Sequence, residues 1–256
     1  MKVKFLGTGT SHGVPVANCV CPTCSSADPK NTRYRSAVWV RDDDGADIVI
    51  DTPAEFRLRT LEYKVPKIDA ILMTHGHADH IAGLDDIRIY NEIQSAPIPL
   101  YLDERTRSEI LSRFSYIFQQ TQEGGGKPKI DLSVIRPGNV FKIKNTIVEP
   151  LKVMHGELEI TGFLINKEFA YITDCSALPD ETVSAVRGVK VLVLNALRYS
   201  AHPTHLSLSQ AVEVAEKIGA GRTFFTHIAH ALEHNAVEKN LPKSIRLAYD
   251  GLEIDI

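Results

Sequence analysis

The sequence predicts a four-layer α/β fold in which two β-sheets pack face to face and helices cover both outer surfaces (αββα). Three observations predict it. The chain has 256 residues, 43% of them hydrophobic, which is long for one domain and short for two. Its strand-like segments form two groups, each followed by helical ones. Between 131 and 174 strand follows strand, which a doubly wound single sheet would not show. One domain over 1–256 is therefore expected.

The elements follow in order. "KVKFLG" alternates and ends in glycine, so it reads as a strand entering a turn. "GTGTSHGVP" reads as a loop able to pass close to a ligand. "SAVWVR" and "ADIVID" are strands joined by a hairpin at "DDDG". Helical spacing follows Pro53 in "AEFRLRTLEY". "IDAILMTH" is a buried strand ending in polar residues. "DERTRSEILSRFSYIFQQ" reads as one long helix with Asp103 as its N-cap. After the break "EGGGKP" come the short strands "DLSVI", "NVFKI", "TIVEPLKVM", "ITGFLIN" and "FAYITD". A helix near 179–187 precedes the strand "VKVLVLN". "SLSQAVEVAEKIG" is a helix capped by Ser207 and stopped by Gly219. "RTFFTH" and the "YDGLEIDI" tail close the chain as strands.

Composition excludes several functions. The formal charge of −3 and a pI near 6.4 give no general electrostatic grip on nucleic acid. No stretch approaches the roughly 18 apolar residues of a membrane span. "MKVKFLGTGT" predicts no secretory leader. The expected compartment is the cytoplasm, where four cysteines are thiols or metal ligands rather than disulfides.

The chemistry is concentrated in "THGHADH", residues 74–80. His75, His77, Asp79 and His80 fall within six residues, directly after a buried strand. Imidazole and carboxylate are ligand types for zinc, manganese or iron(II). Four such groups in one loop exceed what one ion takes from adjacent residues, so two ions are expected, each completed from elsewhere. His155 follows "EPLKVM", Asp174 follows "FAYIT" and His227 follows "TFFT". Each is a ligand-type side chain at the end of an apolar strand, and such ends share one rim.

"THGHADH" resembles the signature of the metallo-β-lactamase superfamily, and His155, Asp174 and His227 fall in the order of its later ligands. The resemblance implies His75, His77 and His155 on one metal, Asp79, His80 and His227 on the second, and Asp174 bridging. His77 stands where diiron redox members carry glutamate. Asp174 is a carboxylate, unlike the ligand of the true lactamases. Hydrolysis by a hydroxide generated at the metals is the implied chemistry, with Asp79 among the catalytic residues. "SAHPTHLSL" adds His202 and His205. His205 matches the extra histidine of the superfamily's phosphodiesterases, which implies a general acid for the leaving alkoxide. His202 is a candidate contact to substrate phosphate.

"NCVCPTCSS" places Cys19, Cys21 and Cys24 within six residues. They read as three of four ligands of a structural zinc in a loop near 18–25, with the fourth supplied from afar. The pattern resembles the PhnP family of cyclic phosphodiesterases, and the resemblance implies His230 as the fourth ligand. Cys175 reads as a small buried residue without a ligand role. Arg33, Arg35, Arg198 and Tyr199 are candidates for substrate phosphate, or ordinary surface and ion-paired residues. "EGGGKP", 123–128, reads as a lid or a plain loop tip.

The expected function is a dinuclear metal-dependent phosphodiesterase acting on a small cyclic or nucleotide-type phosphodiester. A tRNA 3′-processing nuclease and a non-hydrolytic, PqqB-like cofactor-biosynthesis protein are the alternatives. No membrane and no stable nucleic-acid partner are expected, and a homodimer is the default assembly.

Overall fold

The structure, a computed structural model, describes residues 1–43, 45–120 and 126–256. Two seven-stranded sheets carry it. The first contains β1 (Lys2–Gly7), β2 (Ala37–Arg41), β3 (Asp47–Ile50), β4 (Ala70–Leu72), β5 (Ile98–Leu102), β6 (Ile130–Val134) and β14 (Glu253–Asp255), in the order β14-β1-β2-β3-β4-β5-β6. The second contains β7 (Phe141–Ile143), β8 (Thr146–His155), β9 (Leu158–Ile165), β10 (Phe169–Ile172), β11 (Val191–Asn195), β12 (Arg222–Thr226) and β13 (Ile245–Leu247), in the order β13-β12-β11-β10-β9-β8-β7.

The helices are α1 (Phe56–Glu62), α2 (Ala78–Ile81), α3 (Arg88–Gln94), α4 (Glu104–Arg113), α5 (Ser115–Phe118), α6 (Asp180–Ala185), α7 (Leu208–Ile218) and α8 (His234–Glu238). Three apolar layers hold these elements together. Phe5, Ile48, Ile50, Phe163, Tyr171, Val193 and Phe224 fill the space between the sheets. Val49, Phe56, Ile71, Leu84 and Ile110 join the first sheet to its helices. Leu192, Leu194, Val183, Ala211 and Phe225 do the same for the second. Strands covered on both faces read as unbroken apolar runs: "FAYI" of β10 and "VLVLN" of β11 are buried at every position. Helix burial confirms the predicted αββα layering.

Two boundaries depart from the sequence reading. The long helix predicted over 103–120 is two helices, because Phe114 leaves helical geometry (φ −114°, ψ 35°). Asp103 caps α4 as expected, accepting from the Thr106 amide, and Ser207 and Gln210 form a capping box on α7 before Gly219 ends it. The expected lid at 123–128 begins in residues 123–125, which lie outside the described residues. Among the described residues, no helix is long and apolar enough to cross a membrane.

Candidate active site

Strand direction brings the site together. β3 and β4 are parallel, as are β10, β11 and β12. β8 is antiparallel to β9 and β9 to β10, so β8 runs with β10. The carboxyl ends of β3 and β4 in the first sheet and of β8, β10 and β12 in the second meet on one rim, where Asp51, His75, His155, Asp174 and His227 emerge. Asp51, Asp174 and His227 have positive φ (64°, 53° and 54°). A non-glycine residue rarely adopts this conformation, and it persists only where surrounding contacts enforce it. Here it turns three side chains off their strand ends into the rim.

Two groups of donors result. The ligand atoms of His75, His77 and His155 lie within 4.8 Å of one another, as do those of Asp79, His80, Asp174 and His227. His75 Nε2 and His77 Nδ1 are 3.0 Å apart. Asp174 stands between the groups. Its Oδ2 is 3.7 Å from His75 Nε2 and 3.4 Å from His80 Nε2, and its Oδ1 is 2.9 Å from His227 Nδ1. Asp79 Oδ2 is 3.5 Å from His80 Nε2. His77 is exposed, whereas His75, His80, His155, Asp174 and His227 are buried.

A second set of contacts fixes which ring nitrogen each histidine presents. His80 Nδ1 donates to Asp51 Oδ2 at 2.7 Å. Thr74 Oγ1 donates to the same oxygen at 2.8 Å and so accepts from His75 Nδ1 at 3.0 Å. The Thr74 amide donates to Asp51 Oδ1 at 2.9 Å. One buried carboxylate thus holds the Nδ1 side of both His75 and His80 and leaves Nε2 of each facing its donor group. His155 Nδ1 donates to the Thr204 carbonyl (2.8 Å), and Thr10 Oγ1 lies 3.1 Å from His227 Nε2. Sequence reasoning missed Asp51, although "DIVID" carries the same signal as "FAYITD": an acid directly after an apolar strand.

The donor set fits metal cations. His80 Nε2 is buried without a hydrogen-bond partner among the described residues. Asp51, Asp79 and Asp174 bring three carboxylates into one largely buried space, and buried charge must be paired. Burial opposes charge on His80, yet Asp174, Asp51 and Asp79 outweigh it and raise its pKa well above the usual imidazole value. Burial likewise opposes Asp174, but His227 and His80 hold it well below the usual carboxylate range. His75, pressed by burial and by neighbouring His80, is driven well below the ordinary value and stays neutral, as a ligand must.

The loop "GTGTSHGVP" does approach the site. Thr10 N donates to the Ile228 carbonyl (3.3 Å), and Ile228 N donates to Thr8 O (2.9 Å), which seats the loop beside His227. His205 and His202 are half-buried on the segment before α7. The His205 ring centroid is 4.7 Å from that of His155 and 4.9 Å from that of His227, and His202 is 5.1 Å from His205. Burial foremost, with His227 beside it, draws His205 down to about 3, so it is neutral in the free protein.

A separate group joins Cys19, Cys21, Cys24 and His230. The three sulfurs lie 3.3, 3.5 and 3.5 Å from His230 Nδ1. Cys175 is buried and outside every donor group among the described residues. Arg33 corrects an expectation. It is 1% exposed, and its guanidinium donates to the carbonyls of Lys30, Ala229 and Leu232 and to Asn31 Oδ1. It braces the turn on either side of His230 and has no fork free for substrate. Arg35 is ion-paired to Glu55 and donates to Ser11 O. Arg198 donates to Ser200 O and Ala201 O, shaping the segment that carries His202, while Tyr199 is exposed.

The family described as "Beta-lactamase superfamily domain" matches residues 44–228. The crystal structure of a new diphosphatase from the PhnP family superposes with a TM-score of 0.92 at 41% identity, covering 99% of this chain and 96% of that one. Zinc-bound PqqB from Methylobacterium extorquens superposes over the full length of both chains with a TM-score of 0.82 at 20% identity, a likeness of fold. An octanoyltransferase from Porphyromonas gingivalis is 34% identical over 99% of this chain, which spans about half (51%) of that protein's length.

Proposed function

For a chain that belongs to the PhnP family of the metallo-β-lactamase superfamily, we propose hydrolysis of a small phosphodiester at a pair of divalent metal ions. The observation that carries the reading is Asp174, one carboxylate within 3.7 Å of nitrogens from both donor groups. His75, His77 and His155 would hold one ion, Asp79, His80 and His227 the other, and Asp174 both. Zinc, manganese or iron(II) in these positions would supply Lewis acidity to the phosphoryl oxygens and a water acidified toward neutrality.

The chain's own groups do the rest. Asp51 and Thr74 keep His75 and His80 in the ligating tautomer. The Thr204 carbonyl does so for His155, and the Thr204 amide and hydroxyl donate to His202 Nδ1 (3.3 and 3.2 Å), which keeps the His202 proton on Nε2 as a donor for phosphate. A water molecule gives up a proton to solvent as its oxygen adds to phosphorus, and the bond to the leaving oxygen breaks. His205 gives that oxygen its proton. Neutral in the free protein, His205 acquires the proton when the phosphate's negative charge enters beside it. Arg35, Arg198 and Tyr199 remain at most rim contacts, because the two arginines already hold protein partners.

A second substrate class has a specific observation behind it: the 41% identical relative is described as a diphosphatase. A diphosphate offers the same anionic phosphorus with a phosphate leaving group, which needs less help from His205. The sulfurs of Cys19, Cys21 and Cys24 with His230 form a closed set suited to a structural zinc. We propose the cytoplasm as its compartment and a homodimer as its assembly. The test is turnover of bis(p-nitrophenyl) phosphate, a nucleoside cyclic phosphate and a nucleoside diphosphate by metal-analysed protein. Metal-dependent hydrolysis of a diester is expected. No turnover of any of the three with zinc, manganese and iron(II) each loaded would overturn it.

A further inference from the structure

We infer that His205 is an additional donor to the metal pair in the substrate-free protein and yields its position when phosphate enters. Its donor nitrogen falls with those of His155 and Asp174 in a group whose atoms all lie within 4.8 Å of one another. The ring spacing agrees. Neighbouring rings among the histidines of the two donor groups have centroids from 4.2 to 5.9 Å apart. His205 lies 4.7 Å from His155 and 4.9 Å from His227, inside that range. It packs among the ligands as closely as they pack among themselves.

The unpartnered atom points the same way. His205 Nδ1 is buried and has no hydrogen-bond partner among the described residues. Leaving such a group unsatisfied costs roughly 1–3 kcal/mol. The neighbouring histidines solve this problem with the protein: His155 Nδ1 uses the Thr204 carbonyl and His202 Nδ1 the Thr204 amide and hydroxyl. For the His205 ring the described residues supply no such partner, and a cation held with His155 and Asp174 would. The arrangement also orders the reaction. His205 would have to leave the metal pair before it could act on substrate. An incoming phosphate oxygen is the natural replacement, because it brings the negative charge that the metal pair would prefer. Loading of substrate and release of His205 then become one event.

The inference rests on the metal-centre reading but not on the substrate. Its test is the full-length chain loaded with Co2+, followed by visible absorption and by chelator competition. His205→Ala is expected to release Co2+ about tenfold more readily than wild type or worse, and to change the visible band. Glu213→Ala, an exposed position on the helix that follows this segment, is expected to keep wild-type Co2+ affinity. Inorganic phosphate should shift the wild-type band toward that of His205→Ala and leave the variant's band nearly in place. Equal affinity and an identical band in wild type and His205→Ala would overturn the inference. Should His205→Ala fail to fold, judged by thermal unfolding without metal, His205→Gln takes the same measurements. A shifted band with no diester turnover would uphold His205 as a donor while sinking the phosphodiesterase reading.

Discussion

Asp51→Asn removes one oxygen from a node that serves both donor groups. In the native site three donors converge on this carboxylate: the Thr74 amide on Oδ1, and Thr74 Oγ1 and His80 Nδ1 together on Oδ2. Asparagine offers one acceptor and one amide. If its oxygen stays with the Thr74 amide, the new NH2 faces two donors. His80 must then move its proton to Nε2, which abolishes the bare lone pair that faces Asp174. Thr74 Oγ1 loses its acceptor and no longer fixes His75. The loss of such outer partners typically costs 10–100-fold in metal affinity. At about 1.4 kcal/mol per tenfold, that is about 1.4–2.7 kcal/mol per ion. Because Asp51 reaches His75 and His80, which lie in different donor groups, both ions should weaken together. The assay is chelator competition with zinc, read beside metal-dependent activity. Wild-type affinity for both catalytic ions in Asp51→Asn would refute the reasoning, and loss of only one would refute the shared node.

Other expectations follow from the same geometry. Cys21→Ser should lose one tightly held zinc while keeping the catalytic pair and most activity, whereas His227→Ala should keep that zinc and lose turnover; metal analysis of both proteins checks the division. Arg33→Met should cost about 3–5 kcal/mol in denaturant unfolding, since it strands the carbonyls of Lys30, Ala229 and Leu232 in a buried site. His205→Ala should slow a diester with an alkoxide leaving group roughly 10²–10⁴-fold but a p-nitrophenyl ester far less, which steady-state rates on the two substrates would reveal.

Three of the candidate ligands were legible because each ends an apolar strand, and parallel strands of one sheet end on one rim. His155, Asp174 and His227 share that signature, and "THGHADH" marks the loop they meet. Asp51 had the same local signature, but its role appeared only once its carboxylate was found under Thr74 and His80. The contributions of Thr10 and Thr204 were not legible at all. One acts through a hydroxyl and the other through its backbone as well, and such contacts depend on tertiary placement rather than residue type. Arg33 misled for a related reason. Two residues from half-exposed Arg35, it looked like a phosphate fork, and only its burial beneath the His230 turn reveals a brace. The break at Phe114 likewise has no Gly or Pro to announce it.

The central claim is that Asp174 joins two metal ions into one hydrolytic centre. Metal stoichiometry of wild type and Asp174→Asn, measured together with diester hydrolysis, tests it most directly. The account predicts two catalytic ions besides the structural zinc in wild type. In the variant it predicts weakened binding of both catalytic ions, an intact cysteine-bound zinc and a collapse of turnover. An Asp174→Asn protein that retains both catalytic ions at wild-type affinity, or that hydrolyses diesters at the wild-type rate, would contradict it.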